Sequence, residues 1–329
     1  MNRYAIQGFG PLGQKLAREI HQRGDQLVAV IDLAEELQGA SVSELLNLDL
    51  GELCVSPSLA SSNLQRADLD AALVTTGSDF SVVAGCLEDW IERGIPAVSS
   101  CEEMLWPWLR HPECAAALDG KAQSAGVALC ASGVNPGFVM DLLPLFLSSA
   151  CRKVERVHIA RIQDARPRRI PFQRKIGAAL SPADFAKRAA TGSLRHVGLL
   201  ESMHLLAHHL GFELDSWDEQ LEPVWAEVDM HCDLGPIPAG HARGVRQVGV
   251  GLEQGKEVVR LEFQAAIDQA DPADRVQLFG EPDLELIIPG AVPGDDATSS
   301  MLLATARALA TAPAGLRTPA DLVLPRWHN

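Results

Sequence analysis

The sequence predicts an α/β protein, built from a doubly wound parallel sheet followed by an α+β domain with an open, mostly antiparallel sheet. Three observations carry this. The first thirty-two residues run strand, glycine turn, helix, strand, acid. Apolar runs then alternate with helical spacings to about residue 140, as βα units do. Beyond that point period-two segments take over, the mark of half-buried antiparallel strands.

The elements follow in order. Tyr4–Gln7 reads as a short apolar strand, and Gly8-Phe9-Gly10-Pro11-Leu12-Gly13 follows it. A helical pattern covers Gln14–Gln22, and a second strand, Leu27–Ile31, ends at Asp32. This is a GxGxxG sequence in the context a dinucleotide site requires. Gly8 permits the tight turn, Gly10 lets a pyrophosphate approach the backbone, and Gly13 lets the helix lie close to the strand. The helix N-terminus offers N–H groups and partial positive charge to the phosphates. The whole run, with Phe9, Pro11 and Leu12, is therefore expected at the cofactor. Asp32 is placed to accept hydrogen bonds from a ribose 2′-hydroxyl and to repel a 2′-phosphate. Leu33, Ala34, Glu35 and Glu36 after it carry no cation. NAD is expected, with NADP as the alternative, on a Rossmann domain spanning residues 1–140.

Ala71–Thr76 is the next strand, running into Gly77-Ser78, and Phe80–Arg93 has helical spacing. Pro96–Ser99 is a strand that ends in Ser100-Cys101-Glu102-Glu103, and Val127–Cys130 is another. Ligands of doubly wound sheets bind beyond the carboxyl ends of the strands. That adds Thr75, Thr76, Gly77, Ser100 and Asn135 to the expected cofactor contacts. Glu102 and Glu103 are the catalytic candidates. Met104, Leu105, Trp106 and Trp108 crowd them, and desolvation raises a carboxyl pKa toward the range useful for proton transfer. Acids also begin helices, where the dipole favours them, and spacing alone leaves the two readings even. Gly133-Val134-Asn135-Pro136-Gly137-Phe138 is a turn-rich loop that feeds a helix at Val139–Leu147.

A substrate and dimerisation domain is expected over 141–295. Its helices are Ser181–Ala190, with Ser181 as cap and Asp184 closing a capping box, and His196–Leu210, stopped by Gly211. Its strands are Val245–Leu252, Val259–Ile267 and Leu284–Ile288. With helices on one face, the other face of the sheet must pack on something, so a homodimer is expected. A last helix, Ala297–Ala310, and a tail make up 296–329 and return to the first domain. Phe138, Met140, Phe172 and Met203 are candidate pocket walls and equally plain core. His196 is a candidate substrate or pyrophosphate donor and equally a helix cap. Glu201, His204 and His208 share a helix face at a spacing that can hold a metal. No further ligand cluster lies near them, so they read as polar helix surface and no metal is expected.

Composition sets the outer limits. Of 329 residues, 47% are hydrophobic and 22% charged, which suits a globular core. The net charge of −15, from 28 basic and 43 acidic residues, argues against nucleic-acid or anionic-membrane partners. No apolar run reaches the length of a membrane span. The chain enters a strand almost at once, leaving no room for a signal peptide. Seven cysteines, an odd number without a CxxC, read as reduced thiols of a cytoplasmic protein.

Six segments, taken together and in order, resemble the dihydrodipicolinate-reductase-like family. They are Ser100–Met104, Gly133–Asp141, Arg174–Leu180, His196–Ser202, Ile288–Ala291 and Gly294–Thr298. Within that family the chain is most similar to the 2,4-diaminopentanoate dehydrogenases and the native amine dehydrogenases, over nearly its whole length. The resemblance implies an NAD(P)-dependent amine dehydrogenase, interconverting an amine with a ketone or aldehyde plus ammonia. It also implies that a glutamate after the fifth strand is the acid/base, which maps to Glu102 or Glu103. The paired-histidine motif of true dihydrodipicolinate reductases is not in the sequence, so a role in lysine biosynthesis is not implied. Two other classes stay open. An amino-acid or hydroxy-acid dehydrogenase would want an arginine for the substrate carboxylate, for which Arg168, Arg169 and Arg174 are candidates. A non-catalytic NAD-binding sensor would bind the cofactor and turn over nothing.

Overall fold

The computed structural model describes residues 1–62 and 64–324; residues 325–329, the end of the expected tail, lie outside the described residues. The chain divides into two compact units, one of Met1–Phe138 with Pro293–Asn329 and the other of Val139–Val292.

The first unit contains β1 (Arg3–Gln7), α1 (Pro11–Gln22), β2 (Gln26–Ile31), α2 (Val42–Leu46), β3 (Val55–Ser56), β4 (Ala71–Val74), α3 (Phe80–Glu92), β5 (Ala97–Ser99), α4 (Pro112–Ala125) and β6 (Ala128–Ala131). The sheet runs β3-β2-β1-β4-β5-β6 and is closed by a seventh strand from the C-terminal segment, with every pair parallel. The order reverses between β1 and β4, which makes the carboxyl ends of these two strands the place for a ligand. Strands covered on both faces are apolar throughout, and β4 and β6 are buried along their whole length. Helix α1 begins at Pro11, three residues before Gln14, because a proline in the first turn gives up no needed N–H. Its Leu16, Ala17 and Ile20 join Ile6, Val30, Leu73 and Val98 in one core.

The second unit contains α5 (Leu142–Ser148), β7 (Lys153–Asp164), α6 (Ile170–Lys175), α7 (Pro182–Ala190), α8 (Leu199–Leu210), β8 (Ser216–Trp225), β9 (Met230–Cys232), β10 (Gly235–Ile237), β11 (Ala242–Glu253), β12 (Lys256–Ala266), β13 (Ala273–Glu281) and β14 (Leu284–Pro289). Strands β9 and β10 form a separate hairpin. The main sheet has the order β14-β13-β7-β12-β11-β8 and is antiparallel except between β7 and β12. Helix α5 starts at Leu142 rather than Val139, since Asp141 accepts the Leu142 N–H at 2.6 Å and fixes the start there. Helix α8 starts at Leu199, later than expected, because Gly198 at its cap has φ +103 and breaks the helix from His196. Ser181 caps α7 by accepting the Asp184 N–H at 3.2 Å.

Met203 of α8 packs on Gly249 and Gly251 of β11, where a Cβ would come within 2.9 Å of its Cε and 3.1 Å of its Sδ. That places Val245, Gln247 and Gly249 of β11, with Leu261 and Phe263 of β12, on the helix-covered face. The opposite face carries Val248 and Val250, Ala160 and Ile162, and charged pairs joining Arg246 to Glu222 and Glu262, and Arg260 to Glu257.

The C-terminal segment then adds α9 (Gly294–Ala308) and β15 (Gly315–Arg317) to the first unit. Leu302, Leu303 and Ala306 of α9 enter its core, and β15 pairs with β6. Among the described residues no helix is long and apolar enough to cross a membrane. All seven cysteines are free thiols.

Candidate functional site

In the first unit the loops after β1 and β4 are locked side by side. Gly8 has φ +97, and a Cβ there would meet the Thr75 carbonyl at 2.7 Å. A Cβ on Gly13 would overlap the Gly8 oxygen. Only glycine lets strand, turn and helix approach this closely. Thr75 completes the lock, its N–H donating to the Gln7 oxygen at 2.7 Å and its Oγ1 to the Gly8 oxygen at 2.7 Å. No side chain caps α1, and Gly10 and Pro11 are exposed at its start.

Asp32 closes the cradle at the end of β2. Its Oδ2 accepts the Phe9 N–H at 2.5 Å and its Oδ1 the Ala34 N–H at 2.8 Å. The Phe9 ring is fully buried, so this residue serves core and turn rather than presenting a side chain to a ligand. Glycines without room for a Cβ, an uncapped helix end and a carboxylate at the second strand fit a dinucleotide. Thr76 and Gly77 are exposed beyond β4, and Ser100 is half-buried beyond β5.

The carboxylate loop is stitched to the segment after β4. Ser99 Oγ donates to the Val74 oxygen at 3.1 Å and accepts the Cys101 N–H at 3.1 Å. The Ser100 N–H reaches the Val74 oxygen at 3.0 Å, and Cys101 Sγ the Ser78 oxygen at 3.1 Å. Burial pushes the Cys101 thiol up to about 12, so it has no nucleophilic role at neutral pH. Met104 and Leu105 anchor the 3-10 turn that follows.

The two glutamates are used differently. Glu103 Oε2 accepts the Phe80 N–H, the first amide of α3, at 3.0 Å, and lies 3.3 Å from His111 Nε2. Asp79 caps the same helix, its Oδ1 accepting the Ser81 N–H at 2.8 Å and the Ser81 hydroxyl at 2.6 Å. Those bonds hold the Asp79 carboxyl below its ordinary value. An acid of the pair does meet a helix N-terminus, but that of α3, twenty-three residues upstream. Glu102 is half-buried, and its side chain makes no cap bond to the turn it precedes. Ligand atoms of Asp79, Glu103 and His111 lie within 4.8 Å of one another. The carboxylates of this trio are already spent on α3 and His111, which is a capping arrangement.

Asn135 follows β6, the strand next to β5. The loop around it is held by α9, with Thr305 Oγ1 donating to Ser132 Oγ at 2.8 Å and the Val134 N–H to Thr298 Oγ1 at 3.3 Å. The Asn135 amide presents a buried oxygen and a buried nitrogen, and neither has a partner among the described residues. A buried donor and acceptor left unmet cost free energy that a bound polar group would recover. Phe138, at the end of this loop, is half-buried.

In the second unit Met140 and Met203 are wholly buried, Met203 as a core contact between α8 and β11. Phe172 is half-buried, with the Arg168 guanidinium 4.2 Å over its ring. His196 stacks on Phe263 with centroids 4.4 Å apart. The buried Gln247 clamps its backbone, accepting the His196 N–H at 2.7 Å and donating to its carbonyl at 3.1 Å. The Nε2 of His196 is buried without a partner among the described residues. Burial first, then the charges of Lys175, Arg161 and Arg195, push its pKa down to about 3, so the ring is neutral. It is not a helix cap, since α8 begins at Leu199. Glu201 is buried, and His204 meets Trp217 edge-on at 4.5 Å.

Three groups escaped the sequence reading. Asp79 stands directly before a helical run, a cap signal that was available. His111 carries no comparable signal. Arg161 is 1% exposed and donates to Asp274 Oδ2 at 2.7 Å and to the Val292 oxygen at 2.8 Å. Its setting becomes visible only with the register of β7.

A family model described as the 2,4-diaminopentanoate dehydrogenase C-terminal domain matches residues 138–328. A 2,4-diaminopentanoate dehydrogenase of Acetoanaerobium sticklandii is 26% identical over 330 residues, covering 98% of this chain and 93% of that protein. An amine dehydrogenase of Streptomyces virginiae is 25% identical over 207 residues, covering 58% of this chain and 55% of that protein. The solved structure of an amine dehydrogenase from Mycobacterium smegmatis has the same fold, with a TM-score of 0.85 at 22% identity over 99% of this chain and 97% of that one. Since the matched domain takes up more than half of the chain, the protein belongs to the 2,4-diaminopentanoate dehydrogenase C-terminal-domain family, a family of NAD(P)-dependent dehydrogenases.

Proposed function

We propose that the protein is an NAD-dependent amine dehydrogenase in which Glu102 is the acid/base and Glu103 belongs to the frame. One observation carries the choice within the pair: the Glu103 carboxylate is tied to the first amide of α3 and to His111. Moving it to a substrate would leave the Phe80 N–H without its acceptor and break the contact with His111. Glu102 stands beside it at the carboxyl end of β5, where ligands of such sheets bind. The buried, unmet amide of Asn135 at the end of the neighbouring strand supports a polar ligand there. Asp32 supports NAD over NADP. The amine as substrate class leans on the relatives, named 2,4-diaminopentanoate dehydrogenase and amine dehydrogenase.

The bound nicotinamide supplies or accepts the hydride. In the reductive direction Glu102 takes a proton from ammonium, and the ammonia so formed attacks the carbonyl carbon, making the C–N bond. A proton moves from nitrogen to oxygen to give the neutral carbinolamine. Protonated Glu102 then returns its proton to the hydroxyl, which leaves as water. The ionised Glu102 faces the resulting iminium and stabilises its charge while the carbon is reduced. Oxidation reverses these steps.

The test compares Glu102→Gln and Glu103→Gln by nicotinamide absorbance, with ammonia and a carbonyl panel forward and 2,4-diaminopentanoate in reverse. Glu102→Gln should lose about a hundred- to ten-thousand-fold in turnover with NADH affinity kept. Glu103→Gln should chiefly lower the melting temperature. Near-normal turnover by Glu102→Gln overturns the assignment. NADH binding with no turnover by the native protein on any of these substrates favours the sensor.

A further inference from the structure

We infer that His111, acting through Glu103, is a positioning residue for Glu102; this rests on the reading of Glu102 as the acid/base. Glu103 and His111 are the two ends of one loop, which passes through the 3-10 turns Glu103–Leu105 and Pro107–Leu109. The contact between Glu103 Oε2 and His111 Nε2, at 3.3 Å, braces that loop across its base. Both ends are anchored. The His111 N–H donates to the Pro107 oxygen at 2.8 Å, and its carbonyl accepts the Ala115 N–H of α4 at 2.9 Å. Its ring packs on Phe80 with centroids 5.9 Å apart. Glu103 holds α3 through the Phe80 N–H. The brace therefore joins α3, α4 and the end of β5.

Glu102 is suspended between two fixed points. On one side Ser99 and Cys101 are stitched to Val74 and Ser78. On the other stands the braced Glu103. Neither partner of the brace is fully exposed, with side chains 28% and 20% accessible, so water competes for the contact less than at an open surface. Removing His111 leaves the Glu103 carboxylate held by the Phe80 N–H alone and unbraced across the loop, and the peptide that carries Glu102 gains freedom with it. Proton transfer depends on alignment, and a displacement of about 1 Å costs up to about a hundredfold in rate.

The experiment is a double-mutant cycle of the full-length enzyme: native, His111→Phe, Glu102→Gln and the pair, with His111→Gln as the conservative variant. Phenylalanine keeps the packing on Phe80 and removes the Nε2–H; glutamine restores a donor. Turnover, KM for the carbonyl, NADH affinity and melting temperature are read for each. His111→Phe should lose about ten- to a hundredfold in kcat, with KM for the carbonyl and NADH affinity nearly unchanged. His111→Gln should regain most of the loss. In the Glu102→Gln background His111→Phe should change the remaining rate by no more than about twofold, because the residue it positions is gone. Full activity of His111→Phe overturns the inference, as does a loss equally large in both backgrounds, or a loss that follows melting temperature and is not regained by glutamine. An inactive Glu102→Gln beside a fully active His111→Phe sinks this inference alone. A fully active Glu102→Gln sinks the acid/base assignment, and the inference with it.

Discussion

At the scale of single residues, Asp32 shows how one side chain serves two tasks. Its carboxylate holds the Phe9 N–H of the glycine turn and the Ala34 N–H beyond β2, so the group we propose to select NAD also fixes the shape of the turn. Leu33 beside it is 79% exposed and has room for a cation. Asp32→Ala with Leu33→Arg should move preference toward NADPH and also weaken binding of both nucleotides, because the turn loses its tie. Fluorescence titration of native protein and variant reads both effects, and tighter native binding of NADPH than of NADH would contradict the assignment. His196 gives a pH prediction. Its folded pKa is about 3 against an ordinary 6.5, so between these values the unfolded chain binds a proton that the folded one does not. Stability is therefore lost as pH falls below about 6.5, with a slope approaching about 1.4 kcal/mol per pH unit. His196→Phe, which keeps a ring on Phe263, should flatten that part of the melting-temperature profile between neutral pH and pH 4. The glycine turn and Asp32 were legible because their meaning lies within thirty-two residues. The ties that hold Glu103 were not, because they are made to the amide of Phe80 and the ring of His111, which only folding brings together.

At the scale of elements, legibility followed the purity of the pattern. Strand β12 turns Val259, Leu261, Phe263 and Ala265 inward, all apolar, and its period was plain. Strand β7 turns Val157, Ile159, Arg161 and Gln163 inward, and the two polar members hide the same period. Strands β3 and β15, of two and three residues, are too short to show one. The buried polar pair has an energetic signature. Arg161 answers Asp274 Oδ2, yet burial still pushes the Asp274 carboxyl above its ordinary value. Arg161→Met should leave that carboxylate buried without its counter-charge and held by the Val292 N–H at 2.7 Å, at a cost of about 3–5 kcal/mol in urea unfolding. A loss below 1 kcal/mol would show that the site relaxes to admit water. Helix α3 offers a smaller test, since Asp79→Ala removes a cap and should cost about 1 kcal/mol. The folded pKa of Asp79 lies below 3.8, so its contribution is complete above that pH and disappears as pH falls through the folded value. Native and Asp79→Ala melting curves should converge there.

At the scale of the molecule, the second unit's open sheet face is the surface on which we expect a second copy. It mixes Val248, Val250, Ala160 and Ile162 with Arg246, Arg260, Glu222 and Glu262, so both signs of charge stand among apolar side chains. A two-fold pairing can match such a face to itself. Light scattering at micromolar concentration should report a dimer, weakened by the charge reversal Arg246→Glu. A monomeric native protein would contradict the expectation. The divided first unit also has a consequence for how the protein is made. Residues 139–292 leave the ribosome between the two parts of the nucleotide domain, so that domain waits for Leu302 and Leu303 to fill its core and for β15 to cover β6. At about 5–20 residues per second the delay is on the order of 10–30 s. Throughout it the nascent chain carries an open core and a bare strand edge, the kind of exposed surface that favours misassembly. The segment after the second unit thus sets when the first unit can close its core and cover its β6 edge, although the glycine turn, Thr75 and Asp32 are all made long before it.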